Sequence, residues 1–179
     1  MKLSAKEILK PALLLFVICV CITALLAGTN KLTAAKIAQN AVEKEESSRQ
    51  TVLPEAEEFK TEGDCAVGYK GGEVVGYVYV TSAKGYGGDV QIMTGITSEG
   101  SISGVVVLDH DETPGLGANC EKEDFRAQYL QSVPDNGFTV VKNQAAGNGQ
   151  IEALTGATIS SRAVTDAVNE AVDLYAARS

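Results

Sequence analysis

An uncharged apolar run near the N-terminus constrains this chain more than any other feature of its sequence. Residues 11–28, PALLLFVICVCITALLAG, form a stretch of 18 residues without a charge. As a helix this run would span about 27 Å, close to the roughly 30 Å of a bilayer core. We therefore predict one transmembrane helix over residues 11–28.

The charges that precede this run set its expected orientation. Residues 1–10 contain three lysines and a single glutamate, and basic residues beside a span favour the cytoplasm. This predicts a cytoplasmic N-terminus and an extracytoplasmic position for the rest of the chain. A cleaved signal peptide is the alternative, but its apolar core usually has about 7–15 residues before a small-x-small site. Ala24 and Ala27 are not spaced as such a site, which favours a retained anchor in the cell membrane.

The chain beyond residue 10 is acidic. The whole sequence carries a formal net charge of −8, and the residues after position 10 carry 12 basic and 22 acidic groups. Such a surface neither neutralises nucleic-acid phosphates nor binds anionic lipid headgroups. We therefore expect no nucleic-acid partner.

The spacing of apolar residues changes along the outer part of the chain. Residues 29–62 begin with helical spacing and continue into a charged, serine-containing stretch, which predicts a helical stalk. Residues 63–179 are predicted to form one globular domain. Within it, residues 67–81 indicate a hairpin around a Gly-Gly turn, and residues 89–108 indicate a second hairpin.

Two helices are expected in this domain. Residues 120–131 predict a short helix, with Phe125 and Tyr129 one turn apart. The apolar spacing that follows Ser160 and Ser161 predicts a longer helix, with these serines as N-caps. The predicted fold class is therefore α+β, an antiparallel sheet with helices packed on one side.

Most signatures of catalysis are missing from the sequence. Residues 115–120, GLGANC, lack the third glycine of a dinucleotide fingerprint, and the chain has no phosphate loop, no HExxH and no CxxC. Cys19 and Cys21 lie in the apolar run and are interpreted as small apolar residues. Cys65 and Cys120 lie in the outer domain, where the sequence leaves open whether they pair.

Three stretches remain as candidate ligand sites. Residues 109–113, DHDET, suggest a metal site or a solvated turn, and the PGLG that follows would allow backbone to approach a flat ligand. Residues 84–89, KGYGGD, form either a plain loop or a second such approach. Residues 154–158, LTGAT, run into the last helix and are either a capping sequence or a phosphate site at a helix N-terminus.

Taken together, these three stretches resemble a known family. The segments KGYGGDVQIMTGI, HDETPGLGANCE and EALTGATISSRAV, in this order, are similar to the FMN-binding domain of the G subunit of the Rnf electron-transport complex. That complex is an ion-pumping ferredoxin–NAD oxidoreductase of bacterial membranes. The C subunit of the sodium-pumping quinone reductase shares the motifs, but the short chain and direct passage from stalk to domain favour the Rnf protein.

The resemblance implies a covalently attached flavin. The family motif Ser/Thr-Gly-Ala-Thr matches residues 155–158, so Thr158 is expected to carry FMN through a phosphoester. In this family an extracytoplasmic flavin transferase that uses FAD and magnesium installs the group. The family has Asp three residues before the motif, whereas this chain has Glu152 there.

The resemblance also implies which residues line the flavin, and it implies neither a catalytic side chain nor a metal ligand. Gly85 to Gly88 would support one side of the flavin. The expected cofactor-binding residues are Thr158, Thr155, Gly156, Ala157, Ser160, Glu112, Thr113, Gly115, Leu116, Gly117, Gly85, Tyr86 and Gly87.

The function that follows from the resemblance is that of an electron carrier within a membrane-bound, ion-translocating ferredoxin:NAD oxidoreductase complex. Such a component takes part in the redox reaction but is not catalytically complete alone. Its expected partners are the other membrane subunits and the flavin transferase. The alternatives are a stand-alone anchored flavoprotein that serves an extracellular acceptor, the C subunit of a quinone reductase, and an anchored metal-binding module built on His110.

Overall fold

The first helix accounts for more than a quarter of the chain. The computed structural model describes residues 5–142 and 146–178, and the chain divides into two compact units, Met1–Glu43 and Lys44–Ser179. Helix α1 (Ala5–Val52) contains an 18-residue stretch with a mean hydropathy of 2.7, long and apolar enough to cross a membrane. The span predicted over residues 11–28 lies within this helix.

The second unit is built on an antiparallel sheet. Among the described residues, five strands follow one another across this sheet in chain order. They are β1 (Glu58–Glu62), β2 (Cys65–Lys70), β3 (Glu73–Lys84), β4 (Asp89–Thr97) and β5 (Ile102–Asp109). Both predicted hairpins are confirmed as the pairs β2–β3 and β4–β5.

Short helical turns and one long helix complete this unit. After β5 come the 3₁₀ turn Gly117–Glu121, helix α2 (Glu123–Arg126) and the 3₁₀ turn Ala127–Tyr129. Two short parallel strands, β6 (Thr139–Val141) and β7 (Gln150–Glu152), precede helix α3 (Thr158–Ala176). The helix predicted over residues 120–131 is confirmed only for residues 123–129, because Lys122 has extended backbone with ψ 141° and separates it from the preceding turn.

Helix α3 covers one face of the sheet. Apolar residues at helical spacing give it one continuous apolar stripe, which packs on strand residues such as Ile92 and Ile96. Full burial of each large apolar side chain contributes roughly 1.5–3 kcal/mol. The buried apolar residues of the stripe are Ala163, Val164, Ala167, Val168, Ala171 and Val172.

The last turn of α1 and the residues after it pack on the opposite face. Val52 and Leu53 are buried there together with Val78 and other strand residues. The Ser103 hydroxyl donates a hydrogen bond to the carbonyl oxygen of Val52 at 2.6 Å. A Cβ on Gly104 would lie 2.5 Å from Cα of Val52, so the glycine makes this approach feasible. The helices of the predicted domain do pack on one side of the sheet, as expected, and the end of the stalk helix covers the other face.

The end of the stalk also differs from the prediction. Helix α1 ends at Val52, and residues 58–62, which were expected to be helical, form the edge strand β1 paired with β2. Pro54 follows shortly after the helix end, where proline is common because it cannot continue a helix. The side-chain amide of Gln50 donates to the carbonyl oxygens of Pro54 and Ala56, which closes this turn.

We expect Gly104→Ala to destabilise the protein by roughly 1–3 kcal/mol, because the added methyl group would overlap Val52 in a packed core. Gly147→Ala is the control, since a Cβ there would meet only the flexible Gln150 side chain, whose oxygen would be 3.4 Å away. Its effect should be about 0.5 kcal/mol or less. The measurement is urea unfolding of the full-length chain in detergent, followed by near-UV circular dichroism. Equal midpoints for the two variants would contradict the packing of Val52 on Gly104.

Candidate functional site

Three segments of the second unit enclose one cavity. The loop between β3 and β4, the loop after β5 and the start of α3 surround a volume of about 510 Å³. This volume lies in the range of sites that hold small molecules and cofactors. The lining residues are Tyr86, Glu112, Thr113, Leu116, Gly117, Gly156, Ala157, Thr158, Ile159 and Ser160.

A buried carboxylate joins the three segments. Glu112 is only 5% exposed, and its Oε1 accepts hydrogen bonds from the backbone N–H groups of Tyr86 at 2.7 Å and Gly87 at 3.2 Å. Its Oε2 accepts a hydrogen bond from the Ser160 hydroxyl at 2.5 Å. The Glu112 side chain therefore links the β3–β4 loop, the loop after β5 and the first turn of α3.

The Glu112 carboxyl group is ionised at neutral pH although it is buried. Burial raises its pKa, but the hydrogen bonds from Ser160, Gly87 and Tyr86 outweigh this effect, so that the pKa lies below its ordinary value. His110 lowers the pKa of Glu112 further by a smaller electrostatic interaction. The His110 Nδ1 atom also accepts the backbone N–H of Glu112 at 3.1 Å.

The start of α3 borders the cavity and has backbone donors without an intrahelical partner. Helix α3 begins at Thr158, Ala157 occupies the cap position, and no side chain forms a cap hydrogen bond. The N–H group of Ser161 makes the first helical bond, to the carbonyl oxygen of Ala157 at 3.0 Å. The backbone N–H groups of Thr158, Ile159 and Ser160 are therefore the orphan donors of a helix N-terminus.

The two serines at this helix start are not its N-caps, so that prediction is wrong. Both lie inside the first turn and are buried. The Ser160 hydroxyl donates to Glu112, and the Ser161 hydroxyl donates to the carbonyl oxygen of Ala157 at 2.9 Å. The Ser161 oxygen also accepts the backbone N–H of Leu154 at 2.9 Å, which ties the preceding loop to the helix.

A tight turn before α3 separates two threonine hydroxyls. Gly156 has a φ of +76°, a conformation that glycine adopts at little cost, and the N–H group of Ala157 bonds to the carbonyl oxygen of Leu154 at 3.0 Å. Thr158, after the turn, is half-buried and borders the cavity. Thr155, before the turn, is exposed and does not line the cavity.

Two glycines leave the space in which the carboxylate lies. A Cβ on Gly117 would stand 2.5 Å from Oγ of Ser160, and it would also meet the Glu112 carboxylate. A Cβ on Gly85 would meet the same carboxylate from the β3–β4 loop. Substitution at either position would therefore force the segments apart, since a packed interior does not absorb an added methyl group.

The mouth of the cavity carries exposed apolar side chains. Tyr86 is 73% exposed, Leu116 46% and Ile159 52%. Each of them comes from a different one of the three segments that enclose the cavity. Apolar side chains that border a cavity are suited to contact a flat, largely apolar ring.

The structure brings nine of the thirteen predicted site residues to the cavity lining. The other four, Thr155, Gly85, Gly87 and Gly115, are direct chain neighbours of lining residues. Sequence reasoning missed Ile159, for which the only signal was its position directly after Thr158. The binding roles of all these residues stay predictions.

Histidine and cysteine side chains take part in other contacts. Among the described residues, no group of three or more His, Cys, Asp and Glu side chains is placed to hold a metal ion. The His110 Nε2 atom lies 3.5 Å from a carboxylate oxygen of Glu121. Cys65 and Cys120 are free, buried thiols, and burial raises the pKa of Cys120 to about 11.

Both the N-terminal helix and the globular unit are similar in sequence to known proteins. Residues 85–173 match the family model of an FMN-binding domain, and residues 1–52 match that of the RnfG N-terminal region. The chain is 34% identical to the G subunit of the Na(+)-translocating ferredoxin:NAD(+) oxidoreductase complex of Acetobacterium woodii, over 95% of this chain and 92% of the relative. It is 36% identical to the G subunit of the proton-translocating ferredoxin:NAD(+) oxidoreductase complex of Clostridium ljungdahlii, over 83% of this chain and 81% of that relative.

A solved structure supports the fold alone. The crystal structure of Shewanella oneidensis NqrC superposes with a TM-score of 0.52 at 21% identity, over 64% of each chain. The fold and the matched segment define the globular unit as an FMN-binding domain. With its N-terminal region and its relatives taken into account, the chain belongs to the family of Rnf complex G subunits.

The residues of the cavity fit FMN. Its volume of about 510 Å³ suits a cofactor. The orphan N–H groups at the start of α3 suit a phosphate. The apolar side chains of Tyr86, Leu116 and Ile159 suit the flat ring system, while Gly85 and Gly117 let the surrounding segments close around the carboxylate.

We expect Glu112→Gln to lower the free energy of unfolding by roughly 1–2 kcal/mol at pH 7, because charged hydrogen bonds become neutral ones. A lowered folded-state pKa stabilises the protein above the ordinary value of 4.5, and this contribution is lost as the pH falls through the folded-state pKa. The difference between the two proteins should therefore shrink below about pH 4.5. Urea unfolding of the full-length chain between pH 3 and pH 8 measures it, and a difference independent of pH would contradict the ionised state.

Proposed function

We propose that this chain is the electron-carrying G subunit of a membrane-bound, ion-translocating ferredoxin:NAD oxidoreductase complex, with FMN attached covalently to Thr158. Its relatives are named as subunits of such complexes, and its globular unit matches an FMN-binding domain. Bound FMN would supply the electron-transfer chemistry. The task of the protein is then to hold this group, orient it and set its surroundings.

The observation that carries the proposal is the position of Thr158. It is the first residue of α3, it is half-buried, and it borders the cavity. A phosphate esterified to its hydroxyl oxygen would meet the positive end of the helix dipole and the orphan N–H groups. The same threonine is the last residue of the segment that resembles the flavinylation motif.

The attachment is a phosphoryl-group transfer. The Thr158 hydroxyl oxygen would form a bond to the FMN phosphorus of FAD, the bond between the two phosphates of FAD would break, and AMP would leave. The hydroxyl proton would pass to solvent, and no electron is gained or lost. Gly156 is exposed and Ala157 is small, so the loop is slim enough for a flavin transferase to reach the hydroxyl.

Other residues of the cavity would position the bound group. Tyr86, Leu116 and Ile159 would contact its ring system and keep water from part of it, since their apolar side chains border the mouth. Glu112 holds the β3–β4 loop and α3 in place around the site. None of these contacts requires a side chain to act as a catalytic acid or base.

Helix α1 would anchor the protein in the membrane beside its partner subunits. In the part of the chain that the structure describes, it is the one candidate span, and we place its N-terminus in the cytoplasm and the FMN domain on the extracytoplasmic side. A single span does not enclose an ion path, so the other membrane subunits would provide it. The relatives named for sodium and for proton translocation are 34% and 36% identical to this chain, and this similarity does not select the coupling ion.

We expect the full-length chain, produced together with a flavin transferase, to gain the mass of one FMN less one water. Thr158→Ala should abolish the gain because it removes the attacking oxygen. Thr139→Ala is the matched control, since it removes an exposed threonine hydroxyl that lies outside the motif and does not border the cavity. Intact mass spectrometry and in-gel flavin fluorescence give the readout. Modification that persists in Thr158→Ala, or that is lost equally in both variants, would contradict attachment at Thr158.

The proposed topology predicts a defined pattern of proteolysis. In spheroplasts, protease added outside should digest the unit Lys44–Ser179 and leave an epitope tag placed before residue 1 intact. Permeabilised cells should lose the tag as well. Protection of the globular unit from external protease would place it on the cytoplasmic side and contradict the proposed orientation.

A further inference from the structure

The Glu112 carboxylate is a buried negative charge whose hydrogen-bond donors are all neutral. Two of them are the backbone N–H groups of Tyr86 and Gly87, and the third is the Ser160 hydroxyl. None of the salt bridges in the described part of the chain involves Glu112. Neutral donors therefore stabilise the charge, and none of these salt bridges pairs it with a cation.

This charge lies where it acts on the contents of the cavity. Glu112 lines the cavity directly, together with Thr158 and Ser160. It is 5% exposed, so water screens its field less than it screens the field of a surface carboxylate. Asp111, next to it in the chain, is exposed and does not line the cavity.

The titratable groups around Glu112 do not pair with its negative charge. His110 faces Glu112 through its Nδ1 atom, which accepts a backbone N–H, and its Nε2 atom lies 3.5 Å from a carboxylate oxygen of Glu121. Cys120 is a buried thiol whose raised pKa of about 11 keeps it neutral at pH 7.

We propose that Glu112 sets the reduction potential of the site by acting as a fixed negative charge that disfavours electron uptake by bound FMN. The proposal rests on the proposed function. Each electron lost by a reduced redox centre of a partner protein is gained by the bound group, so the site becomes more negative unless a proton from solvent follows. The Glu112 carboxylate opposes this gain and lowers the midpoint potential.

Glu112→Gln separates the charge from the contacts. The amide has the same shape, its oxygen can accept the N–H groups of Tyr86 and Gly87, and its NH₂ group can donate to the Ser160 oxygen. The variant therefore loses the charge and keeps a full set of hydrogen bonds. Asp111→Asn is the matched control, because it removes a neighbouring carboxylate that is exposed to solvent.

The experiment is a spectroelectrochemical titration of the full-length flavinylated chain in detergent at pH 7.5. We expect Glu112→Gln to favour reduction at least tenfold per electron, a positive shift of about 59 mV. Asp111→Asn should change the equilibrium less than threefold. The shift in Glu112→Gln should persist in 0.5 M salt, because a buried charge is screened little.

An unchanged midpoint potential in Glu112→Gln, with wild-type FMN content and circular dichroism, would overturn the proposal. An equal positive shift in Asp111→Asn would overturn it too, because the effect would then come from general surface charge. A wild-type chain that carries no flavin would overturn the proposed function and this inference together. A wild-type flavoprotein whose potential is insensitive to Glu112 would overturn this inference alone.

If Glu112→Gln yields no folded flavoprotein, Ser160→Ala is the second variant that tests the effect of the Glu112 charge on the midpoint potential. This variant withdraws the hydroxyl that donates to Oε2, so the carboxylate charge is less compensated and its effect on the cavity is larger. The midpoint potential should fall below that of the wild type. An unchanged or higher potential would overturn the proposal.

Discussion

The cavity keeps its shape because three neutral donors stabilise one buried carboxylate. Glu112 receives two backbone N–H groups from the β3–β4 loop and one hydroxyl from α3. A charge buried without such partners would be destabilised by several kcal/mol. The segments must therefore stay together for the charge to be tolerated, and Gly85 and Gly117 are needed because a side chain there would occupy the space of the carboxylate. A single ion thus couples the conformation of three chain segments.

The start of α3 offers separate groups to the Glu112 carboxylate and to the phosphate that we propose at Thr158. Ser160 meets the Glu112 carboxylate with its side-chain hydroxyl rather than with its backbone N–H. The backbone donors of the first turn stay available for the proposed phosphate at Thr158, where the helix dipole also favours negative charge. The Ser160 side chain binds the carboxylate and leaves the backbone N–H groups of the first turn available. The side chain of an N-cap serine would instead accept a hydrogen bond from one of these N–H groups.

The sequence predicted those secondary-structure elements that depend on the spacing of apolar residues and on short turns. The hairpins follow from alternating apolar residues about short turns, and α3 follows from its apolar spacing. The packing of Val52 on Gly104 joins residues that are distant in the chain, and the parallel pair β6–β7 consists of strands of three residues each. Neither leaves a periodic signal. The candidate segments of the site were found from glycines and motif order, but the bonds of Glu112 depend on how those segments meet.

The open mouth of the cavity has a kinetic consequence. Tyr86, Leu116 and Ile159 are each about half exposed or more, so a ligand held by non-covalent contacts alone could dissociate through this side into the surrounding medium. A bond to Thr158 would make rebinding intramolecular and keep the effective concentration of the ligand high whatever the supply outside the membrane. The site would then need little intrinsic affinity, and its residues would be free to favour electron exchange over retention.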